Sequence, residues 1–583
     1  MILVLLLMLT IFTNVVTIKS DKINNTYYVA KNGKDSNPGT EAQPWLTLNK
    51  AASTLTAGDT VIVKQGTYNE QLLIRNSGSV GSPITFTTYE DDEVIIDGTG
   101  ISIGWDGLIR IDDVSYVTIS GFKVQNSNYF GIYCMDTCDN IIIENNKVYN
   151  CQSSGIIVFH GDGQSSNMYI RNNLIDTVCM NMNQEALSLS RVDNFELIDN
   201  KVFNSYKEGI DAKNGCRNGI IKGNEVSNYD AIRPCIYVDA YGRDSYNIII
   251  EKNIAHHNGQ GICLATEEGG TIENIKIFNN IVYSNSNGFG IHKFNTGGSH
   301  LKKDILVVNN LFYMLKDSGT CVILTDDSDH FDNLIIRNNI LSGSNYHIIT
   351  TTFSDYSNVI IDHNLLTSTS NYYGSNYLMG DPGFIDPENY NFNLESDSLA
   401  IDHGNPDQAP SYDYYDISRP QGSQVDIGPF EYYTGGAILI SNENPTDGSA
   451  DISKDITSLS VDIESSVGSL LNWRIETIPD IGSAEGSNYA GTVTCPIFDL
   501  NYSKTYTWKI IVNDGNIWKE NTYSFTTNRN KYDVNNDGKV SFQDAGLCWV
   551  HRTTLVPYDS IYDVNEDYVV NFQDVGLCWV NRD

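Results

Sequence analysis

The sequence predicts an all-β chain: a right-handed parallel β-helix solenoid, then a small antiparallel β-sandwich, then a small α-helical domain built on calcium loops. Three observations predict it. A short apolar phrase around one Asn returns every 24 to 30 residues, short alternating segments replace it after residue 437, and two acidic twelve-residue loops lie near the C-terminus.

At 583 residues the chain is too long for one ordinary core, so a solenoid or several domains are expected. The net charge of -35 argues against binding nucleic acid or anionic lipid through a basic field and favours cations. Residues 1–18 are apolar and uncharged, and the first cation is Lys19. Residues 1–20 therefore read as a secretory signal peptide, with an uncleaved N-terminal membrane anchor as the alternative. The eleven cysteines fall at no metal-ligand spacing and are expected to be small buried core residues.

The repeat reads IIIENNKVYN (141–150), ELIDNKVFN (196–204), KIFNNIVYSN (276–285) and LIIRNNILSG (334–343), among others. Its Asn falls at Asn146, Asn173, Asn200, Asn224, Asn253, Asn280, Asn310, Asn339 and Asn364. One such coil cannot bury its apolar face alone. Stacked coils share a continuous core and let the Asn residues bond to one another in a ladder. A second strand per coil follows a Gly or Glu, as in GIYCMD (131–136), EGIDAK (208–213) and CIYVDA (235–240). Side chains alternate, so Ile210, Ala212, Ile236 and Val238 should face the core. Glu208, Asp211, Lys213, Tyr237 and Asp239 should then form one outward patch, with Arg233 and Arg243 on its rims.

The two ends of the solenoid carry their own signals. YYVAKNGKDSNPGTEAQPWLTLNKAAST begins a stretch (27–70) that resembles the N-terminal cap of many secreted β-helix proteins. Within it WLTLNKAAST would be a helix covering the first coil. Residues 381–404 and 416–432 resemble the closing segment of the same proteins. The β-helix is thus expected over 27–433.

The outward patch resembles the sites of β-helix polysaccharide lyases that use a lysine base and calcium. That resemblance implies a polysaccharide partner, acidic in character, with Lys213 removing the proton α to a uronate carboxylate. A Ca²⁺ held by Glu208, Asp211 and Asp239 would offset the acidic field, and Arg233 or Arg243 would grip the substrate carboxylate. Two other readings use the same residues. Asp211 and Asp239, one rung apart, would suit a retaining glycosidase pair at about 5–5.5 Å. A surface adhesin would bind glycan there without catalysis.

Residues 437–527 read as a sandwich, and LNYSKTYTWKIIVNDG (500–515) resembles the late strands of fibronectin-III or immunoglobulin-like modules. Residues 532–583 hold DVNNDGKVSFQD and DVNEDYVVNFQD, offset by 30 residues. Calcium needs several oxygens around one point, supplied at loop positions 1, 3, 5, 7, 9 and 12. In the first loop these are Asp533, Asn535, Asp537, Lys539 (carbonyl), Ser541 and Asp544. In the second they are Asp563, Asn565, Asp567, Val569 (carbonyl), Asn571 and Asp574. Two calcium ions are expected there. The segment is similar to a dockerin, which implies docking to a cohesin-like scaffold or cell-surface protein. It departs from that family in having Asp rather than Glu at position 12, no entering helix before the first loop, and Tyr568 where the second loop should turn on Gly.

Overall fold

The computed structural model describes residues 25–551 apart from 90–91, 160, 162, 182, 229–231, 258, 294–299, 315–318, 327–329, 343–346, 352–356, 369–371, 434–437, 466–468, 516 and 535–539, and beyond these 574–575 and 577–578. The expected signal segment and most of the second loop, including Tyr568, lie outside the described residues.

The chain forms two compact units, 1–410 with 422–431 and 411–421 with 432–583. The first is a parallel β-helix. Its strands fall into three sheets of 13, 11 and 13 among the described residues, and between the terminal coils each sheet takes every third strand along the chain. The pairing is parallel throughout these sheets, as in Asp139–Glu144 against Ser166–Arg171.

Each coil therefore carries three strands, one more than the repeat suggests. The recurring phrase is two strands broken by a turn, with the Asn inside the turn. The residue before each ladder Asn sits at positive φ, from Asn145 at 57° to His363 at 52°, which is the backbone conformation such a sharp corner requires. Asn and Gly adopt it most readily, which is why NN and GN recur in the phrase.

The predicted ladder forms from Asn146 to Asn364. Asn146 Nδ2 donates to Asn173 Oδ1 at 3.1 Å, and the same bond repeats through Asn200, Asn224, Asn253, Asn280, Asn310, Asn339 and Asn364 at 2.9–3.1 Å. Each Oδ1 also accepts the backbone N–H of the preceding ladder Asn, for example Asn200 N to Asn224 Oδ1 at 2.9 Å. All nine side chains are buried, so this satisfaction is obligatory. Upstream the ladder opens on Phe122, whose N–H donates to Asn146 Oδ1 at 3.0 Å, with Gly121 supplying the positive φ.

Ile, Val and Leu from all three sheets meet in one continuous core, which includes Ile210, Ala212, Ile236 and Val238 as the alternation requires. The expected cap helix is Leu48–Thr54, with Leu48, Ala51 and Ala52 buried on that core and the Thr47 side chain accepting from Lys50 N. In the closing segment, Phe384–Asp386 pairs with Asn391–Leu394 as an antiparallel hairpin. Asn309 Nδ2 donates to the Asp426 and Gly428 carbonyls at 2.8 and 3.0 Å, fastening the same segment to the coils.

The second unit contains a sandwich of three and five strands around Leu459, Val461, Ile475, Trp508, Ile510 and Phe525. Its pairings are antiparallel except one: Ser449–Ile452 runs parallel to Trp518–Thr527. Beyond it lies a short helix, Phe542–His551, packed through Ala545 and Cys548 against Val534 and Cys578. All eleven cysteines are buried free thiols. Among the described residues no helix is long and apolar enough to cross a membrane.

Candidate active site

Three neighbouring strands of the eleven-stranded sheet build the site: Leu187–Ser190, Ile210–Lys213 and Pro234–Asp239. Parallel register places Ser188 beside Asp211 and Tyr237, and Ser190 beside Lys213 and Asp239. All six alternate with core residues and so point outward. The turns that precede these strands add Glu185, Glu208 and Arg233.

All of these groups except Ser188 line an open cleft of about 520 Å³ that also takes in Asn183, Gln184, Lys207 and Glu267. A second hollow of about 470 Å³ shares Glu208, Arg233, Tyr237 and Glu267 with it. The expected patch is thus brought together, except for Arg243. That residue is exposed, lies against Gly215 past the end of its strand, and does not line the cleft.

Charge pairing organises the floor. Lys213 Nζ sits on Glu185 and lies 3.7 Å from Asp211, with a further bond to Gln184 at 3.1 Å. Glu185 also accepts from Ser188 at 2.8 Å and faces Lys207 at 3.5 Å. Arg233 pairs with Glu208 at 3.0 Å. Tyr237 donates to Glu267 at 2.7 Å, and the Glu267 backbone N–H donates to Asp239 at 3.4 Å.

These contacts drive the carboxyl groups apart in acidity. Burial pushes Glu185 up, but Lys213 and Lys207 outweigh it and hold the group at about 2. Burial raises Asp211 well above the carboxylate range; Lys213 opposes this, and Glu185, Asp239 and Glu208 add to it. Burial and then Glu267 lift Asp239 to about 8. Burial works to discharge Lys213, yet Glu185 and Asp211 overcome it and keep the ammonium protonated. Tyr237 is raised chiefly by burial.

Three expectations change on this geometry. Lys213 is an anchored ammonium rather than a free amine, so it is not a base at neutral pH in this arrangement. Asp211 lies directly across from Tyr237 and only diagonally from Asp239, and diagonal neighbours are about 7–8 Å apart, which removes the short-spacing argument for a retaining pair. The calcium expected between Glu208, Asp211 and Asp239 does not fit. Asp211 Oδ1 and Glu208 Oε2 are buried without a hydrogen-bond partner, but Lys213 and Arg233 stand against those same side chains. No three acidic, His or Cys side chains converge as a metal group among the described residues.

The patch expected from the sequence did not include Lys207, Asn183, Gln184, Glu185 or Glu267. All five lie in turns, where strand alternation says nothing about direction. In the terminal loops Asp533, Asp544 and Asp574 are buried, and Ser541 donates to Asp544 through both N–H and Oγ at 2.7 and 3.0 Å. Asn535, Asp537, Lys539, Asp563, Asn565, Asp567, Val569 and Asn571 lie outside the described residues.

Comparison with known proteins places the chain among β-helix sequences. The family described as "Pel9A-like, right handed beta helix region" matches residues 27–186, and "Right handed beta helix region" matches 163–312. The uncharacterized protein YwoF of Bacillus subtilis (strain 168) is 27% identical over 437 residues, 64% of this chain and 91% of that protein. Pectate lyase PEL9 of Emericella nidulans is 30% identical over 126 residues, 19% of this chain and 30% of that protein. The crystal structure of pectate lyase Pel9A covers 70% of this chain and 97% of its own at 15% identity and a TM-score of 0.39.

Proposed function

We propose that the chain is a secreted, polysaccharide-active enzyme that breaks a glycosidic bond in the cleft between Glu185 and Glu267. One observation carries the reading: an ionised carboxylate at Glu185 and a carboxyl held protonated to about pH 8 at Asp239 share one open, sugar-sized cleft. A carboxyl kept protonated beside an ionised neighbour is what a general acid in bond cleavage requires.

Asp239 is the proton donor to the departing glycosidic oxygen. Lys213, fixed by Glu185, and Arg233, fixed by Glu208, present positive charge and donors to the substrate's hydroxyl or carboxylate groups. Glu208, paired with Arg233 and 3.7 Å from Lys207, is the carboxylate that accepts a proton from an attacking water. This is hydrolysis. β-Elimination from a uronate is the second reading, favoured by the match of residues 27–186 to a Pel9A-like region and by the partial identity to a pectate lyase. There the Glu208 oxygen would take the C5 proton, or Lys213 would, once parted from Glu185.

The test incubates the full chain with polygalacturonate, alginate, rhamnogalacturonan and xylan, and follows both reducing ends and ultraviolet absorbance. New reducing ends without absorbance indicate hydrolysis, and absorbance from unsaturated ends indicates elimination. Glycan retention with neither signal would return the chain to the adhesin reading.

The C-terminal segment is proposed to bind two calcium ions and to dock the enzyme onto a cohesin-like scaffold or surface protein. Its support is the duplicated loop spacing together with burial of Asp533, Asp544 and Asp574, acids at the first and last positions of the loops. The apolar first 18 residues support export.

A further inference from the structure

The turns that precede successive strands of the eleven-stranded sheet stack on one another. Backbone bonds run from Phe130 N to Asp106 O, Ser153 N to Tyr129 O, Gly155 N to Ala186 O, Ala186 N to Glu208 O and Gly209 N to Pro234 O, at 3.0–3.1 Å. One file of turns therefore carries both the acidic cleft and, toward the N-terminal coils, a group of aromatic rings.

Trp105 is the outermost of these rings. It lies 5.1 Å from Phe130, 5.4 Å from Phe159 and 6.1 Å from Tyr133, edge-to-face in each case. Phe130 and Tyr133 are buried beneath it, whereas the indole itself is 48% exposed. A large indole held on a rigid aromatic base and left open is an unspent apolar face.

The group runs continuously into the cleft. Phe159 belongs to the cleft wall, and Asn183, another wall residue, donates to Tyr129 Oη at 3.2 Å. Register links Tyr133 to Ile157, Ser188 and then Asp211, three rungs at about 4.8 Å each. Lys207, Lys213 and Arg233 stand in the cleft on acidic partners, and Arg110, beside Tyr133, is likewise committed to Asp106 and Asp112 at 3.1 Å each.

We infer that the Trp105 platform is a distal subsite that stacks an uncharged pyranose residue of the same polysaccharide whose bond is broken in the cleft. The inference rests on the polysaccharide reading above for its class of ligand. An indole face matches the apolar C–H face of a neutral sugar and offers a carboxylate nothing. The polymer would thus lie along the helix axis, with neutral residues toward the N-terminal coils.

The test is affinity electrophoresis of the full chain in gels containing soluble xylan, β-1,4-galactan or polygalacturonate, beside KM values for whichever polymer is cleaved. Trp105→Ala is expected to weaken retention by a neutral polymer about tenfold. Trp105→Phe, which keeps a flat ring, should restore most of it, and this separates stacking from misfolding. Equal retention of parent and Trp105→Ala, or no retention of the parent by either neutral polymer, overturns the inference even if cleavage is seen. Trp105-dependent retention without cleavage upholds it and removes only the catalytic reading.

Discussion

Asp239 makes the clearest case at the level of single residues. Its carboxyl titrates near the ordinary value of about 4 in the unfolded chain and at about 8 in the fold, so folding takes up a proton between those values. Stability from this group is full below about pH 4 and is lost as pH rises through about 8. Asp239→Asn is expected to flatten that decline, seen in urea midpoints measured across the range. The same substitution should lower kcat by about 10²–10⁴-fold, since it removes the proton donor. In the parent enzyme kcat should fall as pH rises through about 8. A second residue-scale expectation concerns Lys302 and Asp326, an ion pair whose two side chains are fully buried. Lys302 also donates to Thr266 and to the His300 carbonyl at 2.9 Å each. Lys302→Met takes the ammonium away from the buried Asp326 carboxylate, which His330 also meets at 2.7 Å, and should destabilise by about 3–5 kcal/mol in chemical denaturation. Sequence alternation located the outward residues Asp211, Lys213, Tyr237 and Asp239, because a strand leaves a side chain only two directions. It could not say that Lys213 turns to Glu185, because that depends on the path of the turn at 181–186.

At the level of elements the Asn turn decides most. Asn253 donates to the Ile221 carbonyl and to Asn280, and accepts from the backbone and side chain of Asn224. Asn253→Ala removes these bonds and takes from the buried Asn224 backbone N–H its acceptor, a loss worth about 1–3 kcal/mol. The variant should show a clearly lowered urea midpoint with a native-like circular dichroism spectrum. The ladder was legible because only a short amide fits a buried rung and the spacing displays it. The third strand was not legible. It is often three residues long, as in Lys147–Tyr149, and its boundary is a positive-φ residue with no fixed identity: Asn145, Asp199, Lys252 and His363 all serve. The cap helix Leu48–Thr54 was legible from the resemblance of 27–70 to the N-terminal cap of secreted β-helix proteins. The aromatic platform was not, since Trp105 and Tyr129 come together only when the turns stack.

Over the whole molecule, the two units differ in what holds them. The β-helix closes on its own apolar core, whereas the segment around Phe542–His551 buries Asp533, Asp544 and Asp574 in a very small one. The calcium proposed above would neutralise these buried carboxylates. Chelation is expected to lower the melting of this segment and leave the β-helix transition in place, as two separate calorimetric peaks would record. A single unchanged peak with and without chelator would count against calcium there. Solenoid and sandwich were both visible from the sequence because each is written in spacing. The chemistry of the cleft was not, because it lies in which charges meet across coils.

The uniform rise of the coils turns the outer file of turns into a ruler. Excising one complete 27-residue coil, as from Asn146 to Asn173, would reconnect like with like in the amide ladder. It would also bring Trp105 one graduation nearer to Asp239. The lengths of the released fragments should then change by a discrete step, so that product size reports on how many turns of the spiral separate grip from cut.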